Sequence, residues 1–168
     1  MCGASIISRL FLFGIVLYME RFKLIPEVVL LVVRDDKVLL LRRQNTGWHD
    51  GWYCPPAGHG EDKESMREAT AREAKEEVGI DVAPEDLEFL HVQHRWSTDL
   101  GGHSRVGFYF VAKKFTGEPQ NMEPEKCDEL DWFPLDALPE NTIAPFKHAI
   151  ECAFKGIHYS EFGWESMV

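Results

Sequence analysis

The chain has 168 residues, 45% of them hydrophobic and 27% charged, which is enough for one domain with a single sizeable core. Its 18 lysines and arginines stand against 28 aspartates and glutamates, and the resulting charge of −10 excludes a protein that binds duplex nucleic acid through a broad basic face. An anionic small molecule would instead have to be received by metal ions and a few placed arginines. Residues 1–19 end in an apolar run, Leu10 to Met19, too short to span a bilayer as a helix and followed by no small-residue cleavage site. This stretch is expected to be an appendage outside the domain, or to precede a start at Met19, with membrane association as the alternative.

Val28 to Val33 is a continuous aliphatic run, and Val38 to Leu41 follows it across the polar turn Arg34-Asp35-Asp36-Lys37. Two strands joined by a short turn fit this pattern. Arg42 and Arg43 close the second strand on opposite faces, so only one of them can look into a site. The segment QNTGWHDGWY from Gln44 to Tyr53 is a loop in which Trp48, Trp52 and Tyr53 either stack on a base or ribose or pack the loop itself. Pro55 and Pro56 then fix the approach to Gly58.

From Gly58 to Ile80 the chain reads GHGEDKESMREATAREAKEEVGI. Ser65 followed by Glu68 is a capping box, so a helix is expected to start there, to run through Ala69, Ala71 and Ala74, and to end at Gly79. On that helix Glu73, Glu76 and Glu77 project from one face. Three such carboxylates repel one another unless a hard cation joins them, and Mg²⁺ takes oxygen ligands while keeping positions for water and phosphate. Arg72 reaches Glu76 one turn on, and Glu64 meets it from the other side, which would orient the carboxylates.

These residues closely resemble the Nudix box, G-x5-E-x7-R-E-U-x-E-E-x-G-U with U aliphatic. Gly58, Glu64, Arg72, Glu73, Glu76, Glu77, Gly79 and Ile80 match, and Ala74 fills the first U. Chance agreement at the fixed positions is on the order of 10⁻⁸ at average residue frequencies.

Beyond the box, Leu87 to Trp96 and Arg105 to Phe115 read as strands around a loop at 97–104, and Ile143 to Phe154 has the spacing of a second helix. Between them lies a band of acids ahead of Trp132-Phe133. Asn141 is placed either to read a nucleobase edge or to cap the second helix. Cys2, Cys54, Cys127 and Cys152 form no C-x-x-C pair and no zinc spacing, so unpaired thiols in a reducing, cytoplasmic setting are expected, with Cys54 buried.

The resemblance covers Pro26 to Ala153 and implies an α/β/α sandwich with a mixed sheet, in a domain from 20 to 156 with a tail at 157–168. It implies Mg²⁺, with Mn²⁺ as a substitute, held by Glu73, Glu76, Glu77 and the Gly58 carbonyl. It favours Glu73 as general base, Arg72 and Glu64 in support, Arg43 over Arg42 on phosphate, and Glu125 as an extra ligand, with Asp128 and Glu129 as alternatives. The implied reaction is hydrolysis of a nucleoside diphosphate linked to another group. His94, Arg95, Trp96 and Ser97 stand where ADP-ribose and diadenosine polyphosphate hydrolases of the family tend to carry a proline and a tyrosine. By elimination, and from Trp132-Phe133 and Asn141, the expected substrate is a nucleoside triphosphate, modified ones included, split to a monophosphate and pyrophosphate, with Arg43, Trp52 and Asn141 as substrate contacts. An ADP-ribose or nucleotide-sugar pyrophosphatase, or a non-catalytic nucleotide-binding module, is the alternative. No duplex nucleic acid is expected as partner, and a homodimer is compatible.

Overall fold

The computed structural model describes residues 22–97, 103–112 and 114–165, so the run at 10–19 and most of the expected loop at 97–104 lie outside the described residues. Strand β1 (Ile25–Leu31) carries the aliphatic run, and the short strands β2 (Val33–Arg34) and β3 (Lys37–Arg43) form a hairpin. Its turn residues Asp35 and Asp36 both have positive φ, the twist a two-residue hairpin needs. The expected pair of strands is therefore divided between two sheets, with the break at Val32.

One sheet has five strands in the order β5 (Ala57–His59), β1, β7 (His103–Ala112), β6 (Leu87–Ser97) and β9 (Tyr159–Phe162). It is mixed: β1 runs parallel to β7 and β6 parallel to β9, while β1–β5 and β6–β7 are antiparallel. In the second sheet β3 pairs with β2 and with β4 (Tyr53–Cys54), and with β8 (Cys127–Pro134), a strand hidden in the acidic band. The stretch expected as a C-terminal tail supplies β9, which extends the first sheet beside Val92 to Arg95.

Alternate side chains of β1 enter two separate cores. Val29 and Leu31 pack with Tyr109 and with Phe146, Ala149 and Ile150 of α2 (Ala144–Phe154). Leu30 and Val32 pack with Phe110, Ala112 and with Ala74 and Val78 of α1 (Met66–Val78). A helix thus covers each face, which is why β1 reads as an unbroken apolar run and why the architecture is an α/β/α sandwich.

The ends of α1 are set by local chemistry. The Ser65 hydroxyl accepts from the Glu68 amide, and the Glu68 carboxylate accepts from the Ser65 amide at 2.7 Å. Gly79 takes the left-handed conformation at φ 72° and returns its N–H to the last turn. Ser65→Ala is expected to lower stability by about 1 kcal/mol, a Tm loss of about 2–4 °C by calorimetry.

Candidate functional site

The capped α1 lies against β5, and this fixes where the acidic face points. Gly58 lets it come close: a Cβ there would sit 1.9 Å from Glu73 Oε1, so any side chain would displace that carboxylate. One turn on, Glu77 Oε2 accepts the Ala57 amide at 2.9 Å. Burial is the main cause of an upward shift at both groups, moderated at Glu73 by Arg72, and it pushes Glu77 up to about 8. Glu76 is more open, with 55% of its side chain exposed, so it can move toward whatever binds between the other two.

Arg72 ties this face to the loop before it. Its guanidinium donates to Glu64 Oε1 at 2.9 Å, Glu73 Oε1 at 2.6 Å, Glu76 Oε2 at 3.3 Å and the His59 carbonyl at 3.0 Å. Glu64 also accepts from the Glu61 amide, and its carboxyl is held below the usual range chiefly by Arg72. One arginine therefore sets the β5–α1 loop and the rotamers of two box carboxylates together.

Two clefts flank Glu77. The larger, ≈ 280 Å³, runs past Gly58 and Arg43 to Trp48, Phe146, Arg95 and Arg105. The smaller, ≈ 210 Å³, is closed by Glu123, Lys126 and Cys127 and shares Arg43, Thr46 and Glu77 with the first. Arg43 donates to the Trp48 carbonyl at 2.9 Å and lies 4.8 Å from that ring's centre. Arg42 is turned away, paired with Asp128 at 2.7 Å and Glu129 at 2.8 Å, which occupies both alternative acids.

Three expected contacts stand elsewhere. Trp52 is 40% exposed, meets His49 edge-on and lines neither cleft; Trp48 is the tryptophan that does. Asn141 donates to the Gly51 carbonyl at 2.8 Å and so pins the loop before β4, while α2 begins after Ile143 without a side-chain cap. Glu125 is exposed and offers its backbone carbonyl to Asn45, whereas Glu123 faces the cleft. The reason is backbone supply: the Gln120 and Met122 amides satisfy the Val78 and Glu77 carbonyls at the end of α1, which brings residue 123 beside Glu77. Sequence reasoning also missed Glu27, Arg95 and Arg105. A charge set within otherwise apolar strands was the available signal.

Among the described residues no three carboxylate, imidazole or thiol groups already converge on one point. The donor set nonetheless fits a hard divalent cation: it is all oxygen, it sits where Glu73 and Glu77 meet the Ala57–Gly58 backbone, and Glu77 is a buried carboxylate with one amide donor. Cys54 nearby is buried, and that burial pushes its thiol up to about 12. No helix among the described residues is long and apolar enough to cross a membrane.

Comparison with known proteins places the chain in a family. The NAD-capped RNA hydrolase NudC of Pseudomonas aeruginosa is 38% identical over 118 residues, covering 70% of this chain and 38% of the relative. The 8-oxo-dGDP phosphatase NUDT18 of Homo sapiens is 35% identical over 122 residues, covering 71% of this chain and 35% of the relative. The chain thus spans little more than a third of the length of these curated relatives. A crystal structure of the MutT NUDIX hydrolase from Burkholderia pseudomallei superposes with a TM-score of 0.69 at 29% identity, over 77% of this chain and 97% of that one. The NUDIX domain model matches residues 24–153, and the chain belongs to the Nudix family.

Proposed function

We propose that the chain is a divalent-metal-dependent hydrolase of a diphosphate linkage in a nucleoside diphosphate compound, and within that class a nucleoside triphosphate pyrophosphohydrolase that accepts modified bases. The observation that carries this reading is the meeting of Glu73 and Glu77 with the Ala57–Gly58 backbone at the side of a cleft that also holds Arg43. The naming of one relative for 8-oxo-dGDP supports a modified nucleotide as substrate.

Glu73, Glu76, Glu77 and the Gly58 carbonyl would hold the cation, which supplies charge neutralisation at the phosphoryl oxygens and a more acidic water. Glu73 takes the proton from the attacking water. Burial raises its carboxyl above the usual range, moderated by Arg72, a shift in the direction that favours taking up a proton. Arg43, steadied by Trp48, offers a guanidinium to the phosphates. The new P–O bond forms as the anhydride P–O bond breaks, and nucleoside monophosphate and pyrophosphate leave.

The test is release of pyrophosphate or phosphate from a nucleotide panel with and without Mg²⁺, beside Glu76→Gln. Glu76 is exposed enough for the variant to stay folded, and its turnover is expected to fall about 10²-fold. Equal turnover in variant and parent would remove the assignment of the site.

A further inference from the structure

The far end of the larger cleft holds charge that the hydrolytic centre does not use. Arg95 of β6 and Arg105 of β7 are direct cross-strand partners, an opposition of like charges that costs stability. Both turn onto one carboxylate. Arg95 Nη2 donates to both oxygens of Glu27 at 2.9 and 2.6 Å, and Arg105 Nη1 donates to Glu27 and to His59 Nε2 at 3.0 Å. The group is withdrawn from solvent: Glu27 is 7% exposed and Arg95 5%. Phe146 lies beneath the Arg95 guanidinium at 5.3 Å.

One carboxylate cannot neutralise two guanidiniums, and buried charge without a partner is unfavourable. Among the described residues lining this cleft the acids are Glu27 and Glu77, and Glu77 belongs to the metal end, against Arg43, Arg95 and Arg105. Among the described residues the excess at this end of the cleft is positive. The two ends share a cleft but lie on opposite faces of β5: a Cβ at Gly58 would meet Glu73, whereas the His59 ring meets Arg105.

We propose that Arg95 and Arg105, held side by side by Glu27, form a second oxyanion subsite that takes a phosphate-class group in the cleft that Glu77 also lines. Glu27 acts as a positioning residue, fixing both guanidiniums so that their remaining donors serve one tetrahedral anion. Binding of the anion itself is independent of the hydrolase reading, and only its identification as part of the substrate rests on it.

The experiment is calorimetric titration of the full chain with inorganic phosphate in EDTA. The parent is expected to bind saturably. Arg105→Gln should weaken that binding at least about tenfold, the scale of one lost charged hydrogen bond, and Arg42→Gln, at a guanidinium that pairs with Asp128 and Glu129 and lines neither cleft, should leave it within about twofold. Absence of saturable binding in the parent, or equal binding by Arg105→Gln and the parent, overturns the proposal. If Arg105→Gln does not fold, Arg105→Lys keeps the charge but not the planar fork and should still weaken phosphate several-fold. A second arm finds the source of the anion. A substrate-borne phosphate predicts a larger KM rise in Arg105→Gln for nucleoside triphosphates than for diphosphates, exceeding the fall in kcat. A free product phosphate predicts equal KM changes and relief of phosphate inhibition. Phosphate binding without any metal-dependent turnover would leave the subsite standing and remove the hydrolase reading; turnover without phosphate binding would do the reverse.

Discussion

Glu77→Gln is expected to reduce metal-dependent turnover by about 10²–10³-fold while making the metal-free protein more stable above pH 7. The loss follows from removing a negative oxygen ligand, which forfeits several kcal/mol of charge stabilisation at the reacting phosphoryl group. The gain follows from linkage. Burial raises the Glu77 carboxyl from 4.5 to about 8, so the fold holds this proton more tightly than the unfolded chain does. Stability from this group is therefore complete below the unfolded value and is lost as pH rises from about 4.5 through about 8. Glutamine resembles the protonated acid and still offers Ala57 an acceptor, so it escapes that loss. Melting curves in EDTA should coincide at pH 5 and separate in favour of the variant by pH 8. Saturating Mg²⁺ should reverse the order at pH 8, because the cation binds the ionised carboxylate and stabilises only the parent. A variant that melts below the parent in EDTA at pH 8 would show that Glu77 is not strained by burial.

The contrast between α1 and the cleft walls shows which parts of such a site a sequence can carry. The helix is specified within about twenty residues: Ser65 and Glu68 close on each other, Gly79 stops the last turn, and the three glutamates share a face by helical periodicity alone. Arg43 was separable from Arg42 by strand alternation, although nothing local said which would be captured, and the choice fell to Asp128 and Glu129, more than eighty residues away. Trp52 and Trp48 differ only in how the Thr46–Asp50 turn folds. In that turn Asp50 accepts from the Thr46 and Gly47 amides, and the Thr46 hydroxyl donates to the Trp48 carbonyl. Glu123 and not Glu125 lines the cleft because the end of α1 needs amide donors, a demand set by tertiary position and not by the acidic band itself. Strand β8 escaped notice for a related reason: its alternation is half-buried and acid-rich, and it becomes a strand by pairing along β3.

Glu27→Gln is expected to have the largest effect on stability of any single change considered, although it touches no box residue and keeps the side-chain volume. In the parent the carboxylate accepts from two arginines that the register of β6 and β7 forces opposite each other. Its neutral amide can accept only at one end, and its own N–H₂ would face a guanidinium. Two largely buried cations then confront one another with no other acid at this end of the cleft among the described residues, a situation that costs about 3–5 kcal/mol. For a chain of this size that is a fall in Tm of roughly 6–20 °C, measurable by calorimetry in EDTA. The double variant Glu27→Gln/Arg95→Gln should recover a substantial part of the loss, since it removes one of the opposed charges along with the missing partner. A parent-like Tm in Glu27→Gln would mean that water reaches the cluster as it reaches a surface ion pair worth about 1 kcal/mol or less. The large loss and its partial reversal would instead show that Glu27 is the counter-ion through which the fold tolerates the opposition of Arg95 and Arg105.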